Sequence, residues 1–224
     1  MRRSPVVAVA LVVALGAANA AYAACYPPNK GAHGYYLVPT TGVRIQVDLF
    51  NRHPAADSAI AHPVQITSAT STDFIGWGTY RSKVVVGSCP AYDGTAWRVY
   101  IDGRSYNTYF CWATFGTVAA GAANQVFQLR YENCPVTPYS GRWVAFLNGT
   151  FKDCERINGT TADGVFAGGE WISPGPAQDI DVHYEQAKYA LGSNWIGWGS
   201  LAKCEDPPCR IRKISNTDFW AELP

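Results

Sequence analysis

Apolar and polar residues alternate with a period of two along much of the chain. In 43–49, Val43, Ile45, Val47 and Leu49 share one side and Arg44, Gln46 and Asp48 the other. In 125–132, Phe127, Leu129 and Tyr131 oppose Gln128, Arg130 and Glu132. In 179–185, Ile180, Val182 and Tyr184 oppose Asp181, His183 and Glu185. Side chains of a strand point alternately to its two faces, so each stretch predicts a strand with one face buried and one wet.

Turn signals separate such runs. Asp102-Gly103 is expected to turn between WRVYI and RSYNTYF, and Asn148-Gly149 between WVAFL and TFKDC, because these pairs accept the positive φ of tight hairpins. Asp93-Gly94, Asn158-Gly159 and Asp163-Gly164 mark further turns. Residues 22–42 and 51–64, rich in Pro, Ala and Gly, read as loops. Only 184–191 hints at a helix, and it fits the end of a strand equally well. Short strands at regular spacing predict an all-β fold, an antiparallel two-sheet sandwich in one domain over 24–224.

The letters IGWG occur twice, at Ile75–Gly78 and Ile196–Gly199. On a strand, each copy would put Ile and Trp on one side and bare glycine on the other. That is what a curved sheet needs where something packs closely on its concave face.

The first 23 residues do not follow the strand pattern. Arg2 and Arg3, the apolar run Val6–Leu15 and Ala21-Tyr22-Ala23 make the three parts of a secretory signal of bacterial type, with cleavage expected after Ala23. Without Arg2 and Arg3, the 18 basic residues fall to 16 against 17 acidic ones, so nothing points to nucleic acid or an anionic membrane. The apolar run is too short for a spanning helix, and no transmembrane segment is expected.

Export gives the seven cysteines a meaning. Disulfides come first in an oxidising compartment. Cys204 with Cys209 closes a short loop; Cys89 with Cys111 and Cys134 with Cys154 are expected from proximity in sequence. Cys25 remains. A lipid anchor through it would account for the odd count, although Tyr22 stands where lipoprotein signals want Leu, Val or Ile. Asn148-Gly-Thr150 and Asn158-Gly-Thr160 match the glycosylation pattern, but both fall on expected turns, which explain them better.

Chemistry-bearing motifs are few. There is no G-x-S-x-G, H-E-x-x-H, phosphate-binding loop or C-x-x-C. His53 and His62 flank Asp57 in an expected loop. His183, between Asp181 and Glu185, could serve a metal, but a solvated strand face explains the trio as well, and no cofactor or metal is expected. Glu170 differs. It follows two glycines and precedes Trp171, so on a strand it points away from Trp171. A carboxyl with few polar neighbours can have its pKa raised and act as general acid or base.

Gly168-Gly169-Glu170-Trp171-Ile172 is similar to the second active-site motif of the glutamic peptidases (eqolisins) and the related neprosins. The segment Asp73–Tyr80 resembles the strand bearing the first, and RWVAFLNGTF resembles the family's middle. The resemblance covers roughly 70–200 in layout. It implies a concanavalin-like jelly roll of two large antiparallel sheets, with the dyad on a concave face. The residue that the family keeps as Gln or Glu falls on Phe74, and Asp73 beside it points the other way. The resemblance therefore carries over Glu170 alone.

Two functional classes follow. The first is a secreted, non-catalytic binding or structural module, whose partner is an unknown polymer (glycan or peptide) or cell-surface ligand. Phe74, Trp77 and Trp171 would line its ligand face, since aromatic rings stack on sugars and peptides. The alternative is an acid-acting endopeptidase that uses Glu170 with an unidentified partner, Asp73 or Glu132 among the choices. A glycoside hydrolase or lyase on the same sandwich would need paired carboxylates.

Overall fold

A computed structural model describes residues 30–55, 58–68, 73–86, 88–106, 108–136, 140–172 and 179–224. The expected signal peptide and Cys25 lie outside them. Among the described residues sixteen strands follow in chain order, beginning with β1 (Lys30–Thr40), β2 (Gly42–Leu49), β3 (Ala59–Ser68), β4 (Phe74–Ser82), β5 (Trp97–Ser105), β6 (Thr108–Trp112), β7 (Thr117–Val118) and β8 (Gln125–Glu132). The second half adds β9 (Arg142–Leu147), β10 (Thr150–Glu155), β11 (Ala162–Ile172), β12 (Val182–Leu191), β13 (Asn194–Gly197), β14 (Ala202–Glu205), β15 (Arg210–Lys213) and β16 (Phe219–Glu222). No helix of the described residues is long and apolar enough to cross a membrane.

The strands form two antiparallel sheets. The first runs β14-β1-β11-β3-β4-β5-β6, with β7 on β5; the second runs β10-β9-β8-β2-β12-β16-β15, with β13 on β12. The alternation of β2 sends Val43, Ile45, Val47 and Leu49 into the space between the sheets, where they are buried with Phe127, Leu129, Val182 and Tyr184. The first sheet answers with Val64, Ile66, Ile75, Trp77, Val99, Ile101 and Val165. The sandwich is thus the expected all-β architecture: two inner faces interdigitate and two outer faces remain for function.

Several local expectations fail. Residues 30–40 and 59–68 are strands, not loops, and 184–191 is strand. Asn148-Gly149 does turn the β9–β10 hairpin, with φ of +52° and +76°. Asp102-Gly103 does not turn: β5 runs straight through it and the chain reverses after Ser105, with Tyr106 at φ +50°. Gly103 serves a close approach, since a Cβ there would lie 2.3 Å from the Phe74 carbonyl oxygen. Asp163-Gly164 likewise lies within β11.

The two IGWG copies part company. In β4, Ile75 and Trp77 enter the core and Gly76 and Gly78 face outward, as expected. The second copy is a short edge strand, β13, where Ile196 is exposed and only Trp198, past its end, is buried.

Disulfides join Cys89 to Cys111 and Cys134 to Cys154. The expected Cys204–Cys209 bridge is absent: Cys209 is a free thiol buried in the core, and Cys204 is bonded elsewhere. β14 belongs to the first sheet, where Cys204 pairs with His33 and shares its outward face. The chain then crosses to the second sheet, and Cys209 points into the core. Burial pushes its thiol up to about 12.

Candidate functional site

Pairing across the first sheet aligns three transverse rows on its outer face. One holds Gly31, Glu170, Ala61, Tyr80 and Arg98. The next holds His33, Gly168, Pro63, Gly78 and Tyr100. Gly76 and Asp102 lie in the third with Gln65 and Phe166. Glu170 therefore faces outward because Trp171, its neighbour in β11, is taken by the core.

Glu170 and His33 are both buried polar residues, and Nε2 of His33 lies 2.8 Å from Oε1 of Glu170. The imidazole rests over bare backbone. A Cβ on Gly168 would come within 2.4 Å of the His33 ring. Asp102 leans in a similar way from the other side, with Oδ1 2.4 Å from where a Cβ on Gly76 would stand. Glycine at these two places lets both side chains lie across the sheet.

Asp102 keeps some solvent contact, yet enough protein surrounds its carboxyl that desolvation raises its pKa well above the usual range. The negative charge of Glu170 adds to this push. Tyr100, in the row between them, is raised well above its ordinary value by burial first, then by Asp102 and Glu170. Both shifts favour the protonated form, which can donate a hydrogen bond.

A smaller apolar cluster borders this site. Tyr80 and Tyr100 pack edge-to-face and are buried with Ala61, Cys89, Cys111 and Ala113. Residues 88–96 lie over them, held by the Cys89–Cys111 bridge and by the Tyr80 hydroxyl, which donates to the Pro90 carbonyl at 2.9 Å.

The expected ligand-face aromatics are not together. Trp77 is fully buried between the sheets, and its indole N–H donates to the Phe146 carbonyl of the second sheet at 3.0 Å. Trp171 is a core residue as well. Neither can meet a ligand on the outer face, because one-residue alternation commits both to the core. Phe74 does face outward, half-buried and edge-on to Tyr109.

Nor do the partners considered for Glu170 stand beside it. Asp73 is buried and accepts backbone N–H bonds from Tyr106 and Asn158, both at 3.1 Å. Glu132 ends β8 in the other sheet, near Arg130. Asp102 is the acid that sequence reasoning missed, having read it as a turn residue. The alternation Val99, Ile101 against Tyr100, Asp102 carried the signal.

The other histidines have different settings. His62 sits in β3 rather than a loop, 4.5 Å from the Trp97 ring centroid, and burial pushes its pKa down to about 3. On the outer face of the second sheet, Asp48, His183 and Glu185 bring three possible metal-ligating atoms together. Both ring nitrogens of His183 already face carboxylates: Asp48 at 3.2 Å and Asp218 at 2.8 Å. Asp181, expected beside it, instead pairs with Arg52 at 2.7 Å.

Comparison with solved structures finds this fold among the glutamic peptidases. Two structures of scytalido-glutamic peptidase, each with a transition-state analogue, match with TM-scores of 0.58 and 0.55 at 10% identity. They cover 88% and 87% of this chain and 98% of theirs. SCP-B, of the eqolisin family, in complex with the tripeptide Ala-Ile-His, matches at TM-score 0.53 and 9% identity, over 88% of this chain and 98% of its own. No known protein-family profile matches the chain. No curated protein matches it either. At these identities, the likeness establishes the fold.

Proposed function

We propose that the chain is an acid-acting peptide hydrolase whose working pair is Glu170 and Asp102. The observation that carries this reading is that the two carboxyls share one face, with bare glycine between them and the Asp102 carboxyl raised first by burial and then by the charge of Glu170. Groups whose environments separate their protonation states are suited to paired acid–base roles. The structures of like fold include peptidases with transition-state analogues and a tripeptide, which supports a peptide as substrate.

In the proposed reaction, ionised Glu170 takes a proton from water as the water oxygen attacks the scissile carbonyl carbon. The O–H of Asp102, with that of Tyr100 nearby, donates to the oxygen as it becomes negative. Glu170 then passes its proton to the departing amine nitrogen, and the C–N bond breaks. His33 is a positioning residue: its Nε2–H donates to Oε1 of Glu170 and fixes the carboxylate. The glycine floor lets an extended peptide approach the backbone.

A second reading, binding without catalysis, is favoured by one feature: Glu170 and His33 are each less than a tenth exposed. The test is incubation of a reduced, alkylated protein substrate at acid pH with the wild type and with Glu170→Gln. Cleavage by the wild type alone is expected. No cleavage, or equal cleavage by the variant, overturns the hydrolase. Retention of the uncleaved polypeptide by the wild type, lost in the variant, would then establish binding.

A further inference from the structure

The open edges of the two sheets meet in a second site, away from the outer face that bears Glu170. Edge strands β6 and β10 flank a groove of about 640 Å³. Phe110, Trp112 and Phe115 line one side, and Asp153, Glu155 and Arg156 the other.

The acids are there because of a β-bulge. Register in the β9–β10 hairpin slips between Phe151 and Asp153. Beyond the slip, Asp153 lies opposite Ala145 and Glu155 opposite Trp143, both core residues. Without the extra residue, Lys152 and Cys154 would take those inward positions. The bulge thus turns two carboxyls towards the apolar side of the sandwich. Bulges commonly re-aim side chains beside functional sites, and a local rule broken without structural gain is expected at such sites. The strand that carries them is held by the Cys134–Cys154 bridge.

The pair is only weakly offset. Arg156 stacks over Tyr106, 5.5 Å from its ring centroid, and Arg142 of β9 exerts the smallest of the electrostatic influences on Glu155. Burial raises both carboxyls. Glu155 reaches about 7, first through desolvation and then through the charge of Asp153, with the Trp112 indole opposing. Trp112 is itself half exposed, as are Tyr106 and Tyr109 nearby. Two half-buried acids beside aromatic rings form a trap for an organic cation, which gains both the Coulomb attraction and the ring quadrupole.

We infer that the groove between β6 and β10 is a binding site for a cationic side chain, and that it prefers a guanidinium to an ammonium. The planar fork of arginine can bond carboxylates while its face stacks on a ring. This site stands whether or not Glu170 is catalytic.

The probe is N-acetyl-arginine methylamide, followed by titration calorimetry on the mature protein. Its uncharged citrulline counterpart, the lysine analogue and a neutral glucan oligosaccharide serve as comparisons. Arginine is expected to bind most tightly, lysine more weakly, and citrulline at least about tenfold more weakly than arginine. Affinity on the wild type should rise up to about tenfold from pH 6 to pH 8, as Glu155 loses its proton. Glu155→Gln and Asp153→Asn should each weaken arginine binding, whereas Glu170→Gln should leave it unchanged. Equal binding of arginine and citrulline, a flat pH profile, no saturable binding, or capture of the oligosaccharide in place of the cation would each overturn the assignment.

Discussion

The outer faces of the two sheets use the same ingredients to opposite ends. On the second sheet, His183 stacks on Trp220 at 4.5 Å and is bracketed by Asp48 and Asp218, with Glu185 3.8 Å away. Gln46 in turn donates to Glu185 at 2.6 Å, so the acid beside the ring is itself bonded. On the first sheet, His33 meets Glu170, but Asp102 stands apart over a glycine, its carboxyl pushed up by burial. The first arrangement is a satisfied polar network; the second keeps displaced protonation states in reserve. A His–carboxylate cluster says little about function until one asks which of its groups are held away from their ordinary charge.

The sharpest way to break this contrast is Glu170→Gln, which should lower peptide hydrolysis by about 10³-fold, within the span of general acid–base catalysis. Asp102→Ala should cost roughly 10²-fold in kcat with little change in KM, the mark of a donor used in the transition state. His183→Gln is the control from the other sheet. It should lower stability by about 1–3 kcal/mol in urea titrations, through the charged hydrogen bonds it removes, and leave activity unchanged. Loss of activity there would dissolve the distinction between the faces.

Gly76→Ala moves Asp102 without deleting it. The new methyl meets a carboxylate oxygen at the free end of a side chain, so the fold should tolerate it while kcat falls by about tenfold. The smallest expected effect is thermal. A carboxyl with a raised folded-state pKa binds its proton more tightly folded than unfolded, so its contribution erodes as pH rises from the unfolded carboxylate range near 4 towards that raised value. Asp102→Asn cannot ionise and should gain Tm over the wild type, increasingly from pH 4 to pH 8, at ~2–4 °C for each kcal/mol. It should also flatten the alkaline limb of the activity profile, which a purely structural Asp102 would not do.

How much of this was legible depended on what covers each strand. β2 alternates cleanly because one face packs on the core and the other meets water. β3 does not: Ala59–Val64 is buried on both faces, with Pro63 and His62 among them, and its composition read as a loop. Covering the outer face at Ala61 with residues 88–96 removed the polar alternation that marks a half-exposed strand. Asp102-Gly103 misled for a related reason. The pair has the propensity of a hairpin, but Gly103 is there for the β4 backbone against it.

The opposition of Glu170 and Trp171 is a property of one strand. One points opposite the other because neighbours on a strand must, whatever the surroundings. That is what the sequence determined by itself: the all-β class, the alternation within most strands, and the opposite directions of Glu170 and Trp171. Which acid shares its face was decided by tertiary structure. Asp102 and Glu170 are separated in the sheet by β3 and β4, and their relative placement on one face is set by the register of three successive pairings. Each register follows from hydrogen bonding and packing between strands distant in the chain, and no period within one segment encodes it.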